Sequence, residues 1–202
     1  MKASSAQEKA RMILPPPDQT GRVTLEQALA RRRSVREFAA QALSEQELSQ
    51  LLWSAQGITH PEGLRTAPSA GALYPLEFYV AIAGGFYHYD PGEHRLDLHS
   101  EGDLRPALCH ASWEQEFVRE APAVFVIAAV YERTERKYGR QRGPRYVHMD
   151  AGHAAENVLL QAVALGLGAV PVAAFRDDQV QEVLSLPREQ QPLYLIPVGH
   201  PR

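Results

Sequence analysis

Cysteine is almost missing from this 202-residue chain, which has one, Cys109. A single thiol excludes an internal disulfide and any multi-thiolate zinc or iron–sulfur site, and it fits a reducing compartment. Long apolar runs are missing too. The opening MKASSAQEKARMILPPP starts basic but lacks the apolar core of about 7–15 residues that a secretory signal needs. The stretches near residues 121–130 and 158–170 are too short or too interrupted for a bilayer span of ~20 residues. A cytoplasmic protein without a membrane partner is therefore expected. Nor is there an excess of basic charge: 21 Lys and Arg against 24 Asp and Glu leave −3 with His neutral. No global field draws in nucleic acid, and that partner is not expected.

Several catalytic signatures are absent as well. The eight histidines show no HExxH spacing, with His148 and His153 five apart, so no metal site is expected. Serine, histidine and aspartate occur without a GxSxG elbow. Gly166 and Gly168 end a helical pattern instead of opening one after a strand, so they are not a dinucleotide fingerprint. Cys109 and His110, adjacent on a predicted helix, do not face each other, and Cys109 reads as core.

What remains is an ordinary globular composition, 45% apolar and 22% charged, in a chain sized for one domain. Residues 1–22, polar and then proline-rich, read as a tail that lies on the protein or stays mobile, and residues 23–202 as the domain, with order beginning at Thr24. Thr24 and Gln27 open a helix that runs into RRRSVREF. Ser44 and Glu47 open a second, with Leu48, Leu51, Leu52 and Ala55 on one edge and Gly57 at its end. LEFYVAI (76–82) is a strand, and 86–90 with 95–98 form a hairpin around Asp90-Pro91-Gly92. Residues 103–120 read as helical and 122–131 as a fully buried strand. A charged, Arg-rich stretch then reads as a solvated loop. Residues 150–166 form a helix with almost no polar face, suited to the core or a subunit interface. Asp177 caps a last helix, and LYLIPVG (193–199) is a final strand. The class is α+β with a mixed sheet.

Three features carry candidate chemistry. Arg31–Arg36 clusters guanidiniums around Ser34, which suits a phosphate and equally suits the cation-favouring end of a helix. PSAGALYP (68–75) has the small residues that admit a flat ligand close to the backbone, or that make a tight helix-to-strand connection. PVAAF (171–175) is small and apolar, suited to lying against an aromatic ring system.

Taken in order, RRSVREF, PSAGALYP, Lys137-Tyr138-Gly139, DAGHAAENVLLQA (150–162) and GLGAVPVAAF (166–175) resemble the nitroreductase-like FMN flavoproteins, and within them the SagB-type, thiazole/oxazole oxidase-like dehydrogenases. The resemblance spans about residues 24–200. It implies a nitroreductase-like fold, a mixed and mainly antiparallel sheet surrounded by helices, in a homodimer with FMN at the subunit interface. Arg32, Arg33, Ser34 and Arg36 would hold the phosphate and ribityl chain. Pro68, Ser69, Ala70, Gly71 and Leu73 would line the flavin from one subunit, and Pro171, Val172, Ala173 and Ala174 would cover its ring. Lys137 and Tyr138 match the pair that removes a proton in azoline oxidases, a role that a solvated loop would not need.

The implied activity is hydride passage at the flavin N5 on a small molecule or a peptide-derived heterocycle. Alternatives are an NAD(P)H-dependent nitroreductase or flavin reductase, and an FMN-binding protein or assembly subunit without turnover. Three departures bear on the site. Ala72 and Tyr74 stand where nitroreductases have Asn and Gln, Ala173-Ala174 stands where Glu-Gly is common, and Arg202 alone is left for the role of a longer basic tail.

Overall fold

The computed structural model describes residues 11–202, so the first ten residues of the expected tail lie outside it. The most apolar segment organises the rest. PAVFVIAAV supplies β5 (Ala123–Val130), whose residues are all buried. Its side chains alternate between two cores. Phe125 and Ile127 face α2 (Glu45–Gln56) and α5 (Tyr131–Ala164), through Leu48, Leu51 and Leu52 on one and Val147, Val158 and Leu159 on the other. Val124 and Val126 face α3 (Arg105–Ala111), α4 (Glu116–Glu120) and α6 (Asp177–Val183), through Leu108, Val118 and Val180. Helices on both faces explain why this strand has no polar side.

The sheet adds β1 (Arg11–Ile13), β2 (Leu76–Ile82), β3 (Gly85–Asp90), β4 (Arg95–Glu101), β6 (Gly168–Ala169) and β7 (Gln190–Gly199). Its order is β1-β4-β3-β2-β5-β7-β6, and all six ladders are antiparallel. Both edge strands are short, which limits unwanted strand pairing. A parallel bridge from Ser34 to Ala169 makes the pairing mixed. The α+β class and the mainly antiparallel sheet are as expected. Among the described residues no helix is long and apolar enough to cross a membrane.

α1 (Leu25–Arg31) begins at Thr24, whose hydroxyl accepts from the Gln27 N–H, and ends before the arginine-serine segment instead of running through it. α2 begins with the full Ser44–Glu47 capping box and closes at Gly57. At the end of α5 the Gly166 N–H reaches Val163 and the Leu167 N–H reaches Ala162, with Gly166 at φ 74°, the helix-ending role expected of that glycine.

Four expectations need correction. Order does not wait for Thr24: β1 pairs with β4, and the Pro15 carbonyl accepts from the Ser49 hydroxyl at 2.5 Å, so the proline segment is pinned. The region 103–120 is two short helices, because Trp113 and Glu114 take positive φ (61° and 57°). Asp177 is the first helical residue, while the cap position is Arg176 with no side-chain cap bond.

The fourth concerns the Arg-rich stretch, which is helical. α5 starts at Tyr131 and breaks at Gly139 (φ 76°, ψ 160°), so that an arm, 131–138, folds back on residues 143–148. A Cβ on Gly143 would lie 3.1 Å from the Glu135 Cα, the Tyr131 hydroxyl bonds His148 Nε2 at 2.6 Å, and the Tyr138 and Tyr146 rings lie 4.7 Å apart. The polar sequence forms a helix because it packs on itself through a glycine, a contact that apolar periodicity does not register.

Candidate active site

The PSAGALYP segment is a loop with one 3-10 turn, Ala70–Ala72. Gly71, Ala72 and Tyr74 all take positive φ (63°, 54° and 45°), which is costly for the latter two. Such a backbone persists only if its surroundings hold it. Ser69 is the pivot: its hydroxyl accepts from the Tyr74 N–H (2.9 Å) and donates to Asp150 Oδ2 (2.6 Å). Asp150 Oδ1 accepts from the Ala70 N–H (3.4 Å). The Asp150 side chain is only 4% exposed. Burial pushes its carboxyl above the usual range, although the Ser69 and Ala70 bonds pull it down.

The arm of α5 grips the same loop. Arg133 donates to the Tyr74 carbonyl (3.1 Å) and pairs with Glu77, which also bonds His88 at 2.8 Å. Burial alone would raise the Glu77 carboxyl, but these two partners hold it below its ordinary value. A Cβ on Gly71 would lie 2.7 Å from Lys137 Nζ and 2.9 Å from the Tyr138 hydroxyl. The two polar tips therefore converge on one glycine, and any side chain there would displace them. Lys137, Gly71 and Ala72 are exposed, Tyr138 and Leu73 half-buried, and Pro68 exposed at the loop's start.

A second group forms around α1's end. Arg32 closes that helix through its N–H to the Ala28 carbonyl (2.9 Å), and its guanidinium lies 3.7 Å from Glu156 on α5. Arg33 turns back to the carbonyls of Ala30 (3.2 Å) and Arg32 (2.6 Å), the helix-end role that guanidiniums there can also fill. Ser34 is exposed and bridges to Ala169, with the Val35 N–H on the Ala169 carbonyl (3.0 Å). Arg36 is exposed, 5.6 Å over the Phe117 ring. Arg202 is tied in by its N–H to the Glu37 carbonyl (3.2 Å). Four residues after the Gly168–Val35 contact, Val172 exchanges both backbone bonds with Leu195 (2.8 and 2.9 Å). Ala173 and Ala174 then emerge exposed, and their N–H groups find no acceptor among the described residues. Pro171 is half-buried.

The sequence-predicted residues thus fall into two groups within one chain. Gly71 meets Lys137 and Tyr138, Ser69 and Ala70 meet Asp150, Ser34 and Val35 meet Gly168 and Ala169, and Glu37 meets Arg202. Both groups lean on α5, at Asp150 and Glu156. Two residues that hold this loop, Asp150 and Arg133, were given no role from the sequence, and Tyr74 entered only as a departure from the family pattern. Asp150 stood in view as a carboxylate opening an otherwise apolar helix. Elsewhere, the only His, Cys and carboxylate ligands near enough to share an ion among the described residues are Cys109, Glu114 and Glu116. Both carboxylates are exposed and paired, with His110 and Arg119, and burial pushes the Cys109 thiol up, so they do not form a metal centre.

A model of the nitroreductase family matches residues 29–200. The chain is 45% identical over 183 residues to the protein MJ1384 of Methanocaldococcus jannaschii, named as a nitroreductase, covering 88% of this chain and 91% of that one. It is 36% identical over 136 residues to the trifolitoxin-processing protein TfxB of Rhizobium leguminosarum bv. trifolii, covering 62% of this chain and 36% of TfxB. A crystal structure of a nitroreductase-type protein from Ralstonia eutropha JMP134 superposes with a TM-score of 0.88 at 34% identity, covering 96% of this chain and 90% of that one. With the matched model spanning every residue of both groups except Arg202, the chain belongs to the nitroreductase family.

Proposed function

We propose that the chain is an FMN-dependent oxidoreductase that works as a homodimer in a reducing cytoplasm, with a SagB-type dehydrogenase activity on a small molecule or a peptide-derived heterocycle. The residues fit FMN. Its phosphate carries about −1.5 to −2 charges. Arg36 and Arg202 are exposed with no carboxylate within 4.0 Å among the described residues, while Arg32 lies 3.7 Å from Glu156 and Arg33 bonds backbone carbonyls. Bound FMN supplies a ring that accepts and returns a hydride at N5. Arg32, Arg33, Ser34, Arg36 and Arg202 hold its charged tail. The unpaired N–H groups of Ala173 and Ala174 serve the ring's polar edge, with Pro171 and Val172 shaping the cover. Pro68, Ser69, Ala70, Gly71 and Leu73 line the other side.

Two copies hold FMN at their interface, as the resemblance to nitroreductase-like flavoproteins implies. α1 offers a surface for the second copy: Leu25 and Leu29, four apart, are 62% and 54% exposed, and Leu25 borders a groove of about 340 Å³ between α1, α2 and α5.

The observation that carries the finer reading is the convergence of Lys137 Nζ and the Tyr138 hydroxyl on Gly71. A substrate seated there would lose its proton to this pair, with bound FMN supplying the hydride acceptor. The competing reading, an NAD(P)H-dependent reductase, is favoured by MJ1384, which this chain covers nearly end to end, whereas it spans about a third of TfxB. Anaerobic stopped-flow separates them. Flavin bleaching by a thiazoline peptide, lost in Lys137→Ala, supports the dehydrogenase. Bleaching by NADH or NADPH alone supports the reductase, and bleaching by neither leaves a binding role without turnover.

A further inference from the structure

Charge is unevenly placed along the chain. Residues 132–146 hold six of its 21 cations and two of its 24 carboxylates, so this stretch is +4 while the remainder is −7. Two of the six cations are engaged locally, Arg133 with Glu77 and Arg136 with Glu132 (3.1 Å). Lys137, Arg140, Arg142 and Arg145 are exposed and have no carboxylate within 4.0 Å among the described residues. The fold-back at Gly139 gathers these cations at the tip of a helical hairpin, and Lys137 at that tip meets Gly71. Like charges crowded on one short element repel, and the two local ion pairs leave four cations uncompensated by a carboxylate contact among the described residues.

We propose that the hairpin tip is a docking surface for an acidic peptide segment, which it holds beside the opening between Lys137, Tyr138 and Gly71. What then happens at that opening rests on the function proposed above, but the docking does not. At ~100° per residue Arg142 and Arg145 share one side of the helix, while Arg140 lies roughly 140–160° round from them. A single phosphate needs guanidiniums that converge, and these spread out. Several carboxylates along an extended segment match them. Nucleic acid fits less well. The Tyr138 and Tyr146 rings pack on each other and offer no open stacking platform, and the acidic remainder of the chain repels a long polyanion.

The test uses fluorescein-labelled decaglutamate and the full-length FMN-loaded protein, followed by fluorescence anisotropy at ~20 mM and ~300 mM salt, where the Debye length shortens several-fold. The wild type binds, at least tenfold more weakly at the higher salt. Arg140→Glu/Arg142→Glu/Arg145→Glu binds at least tenfold more weakly at low salt, with FMN content and circular dichroism unchanged. The neutral Arg140→Gln/Arg142→Gln/Arg145→Gln set provides the same reading should charge reversal unfold the hairpin. Wild-type binding no tighter than to a Gly-Ser decamer, or binding unaffected by both variants, overturns the proposal. So does a stronger affinity for a single-stranded oligonucleotide, or a defect confined to NADPH over NADH. Decaglutamate binding by protein that takes up no FMN would overturn the function proposed above while leaving this docking surface standing.

Discussion

Asp150 shows how one buried carboxylate can hold a strained loop. Its two oxygens bind Ser69 and Ala70, and Ser69 in turn holds Tyr74 at positive φ. Asp150→Ala leaves the Ser69 hydroxyl and the Ala70 N–H without their acceptor, and is expected to cost ~1–3 kcal/mol in urea unfolding. Asp150→Asn keeps one acceptor oxygen for the two donors Ser69 and Ala70, and is expected to cost less than Asp150→Ala. The pH dependence separates the two effects. The folded carboxyl keeps its proton to higher pH than the unfolded one, so its stabilising contribution is complete below the ordinary value of 3.8 and is lost as pH rises through the raised folded value. Urea titrations across that window should show this loss in the wild type and not in Asp150→Asn. Lys137 and Tyr138 touch the proposed substrate position, so Lys137→Ala should lower turnover ~10²–10⁴-fold with FMN binding retained, read by single-turnover kinetics. Ser69, Ala70 and Asp150 all stood in motifs the sequence displays, but the bond that joins Ser69 to Asp150 spans 81 residues and was not legible.

The elements divide sharply by how they declare themselves. α2 and β5 were legible because capping residues and apolar spacing are local signals, and both structures follow them closely. The arm of α5 was not, because Arg133–Lys137 has no apolar period, and its helix depends on Gly139 and Gly143 allowing it to fold back. β1 was hidden for a similar reason: three residues ahead of a proline run become a strand only when β4 is there to pair with them. Gly139 sits at φ 76°, ψ 160°, a region that is almost reserved for glycine. Gly139→Ala should therefore cost roughly 1–3 kcal/mol and loosen the arm's hold on Gly71. Hydrogen exchange would show this as faster exchange in 131–138 with the β5 amides unchanged, and turnover should fall while FMN affinity holds.

At the scale of the molecule, a double-sided core built on β5 carries two half-sites on the flanks of one long helix. The motif order named both groups of residues, and the structure places Gly71 against Lys137 and Tyr138 and Ser34–Val35 against Gly168–Ala169. Leu25→Lys with Leu29→Lys charges the exposed edge of α1 without touching either half. Analytical ultracentrifugation should find this variant monomeric, and it should lose FMN with the partner. Native mass spectrometry of the wild type supplied with FMN tests the central claim most directly, because mass and cofactor content are read from the same ion. A dimer carrying two FMN is predicted; a stable monomer, or a dimer that stays without flavin, would contradict it.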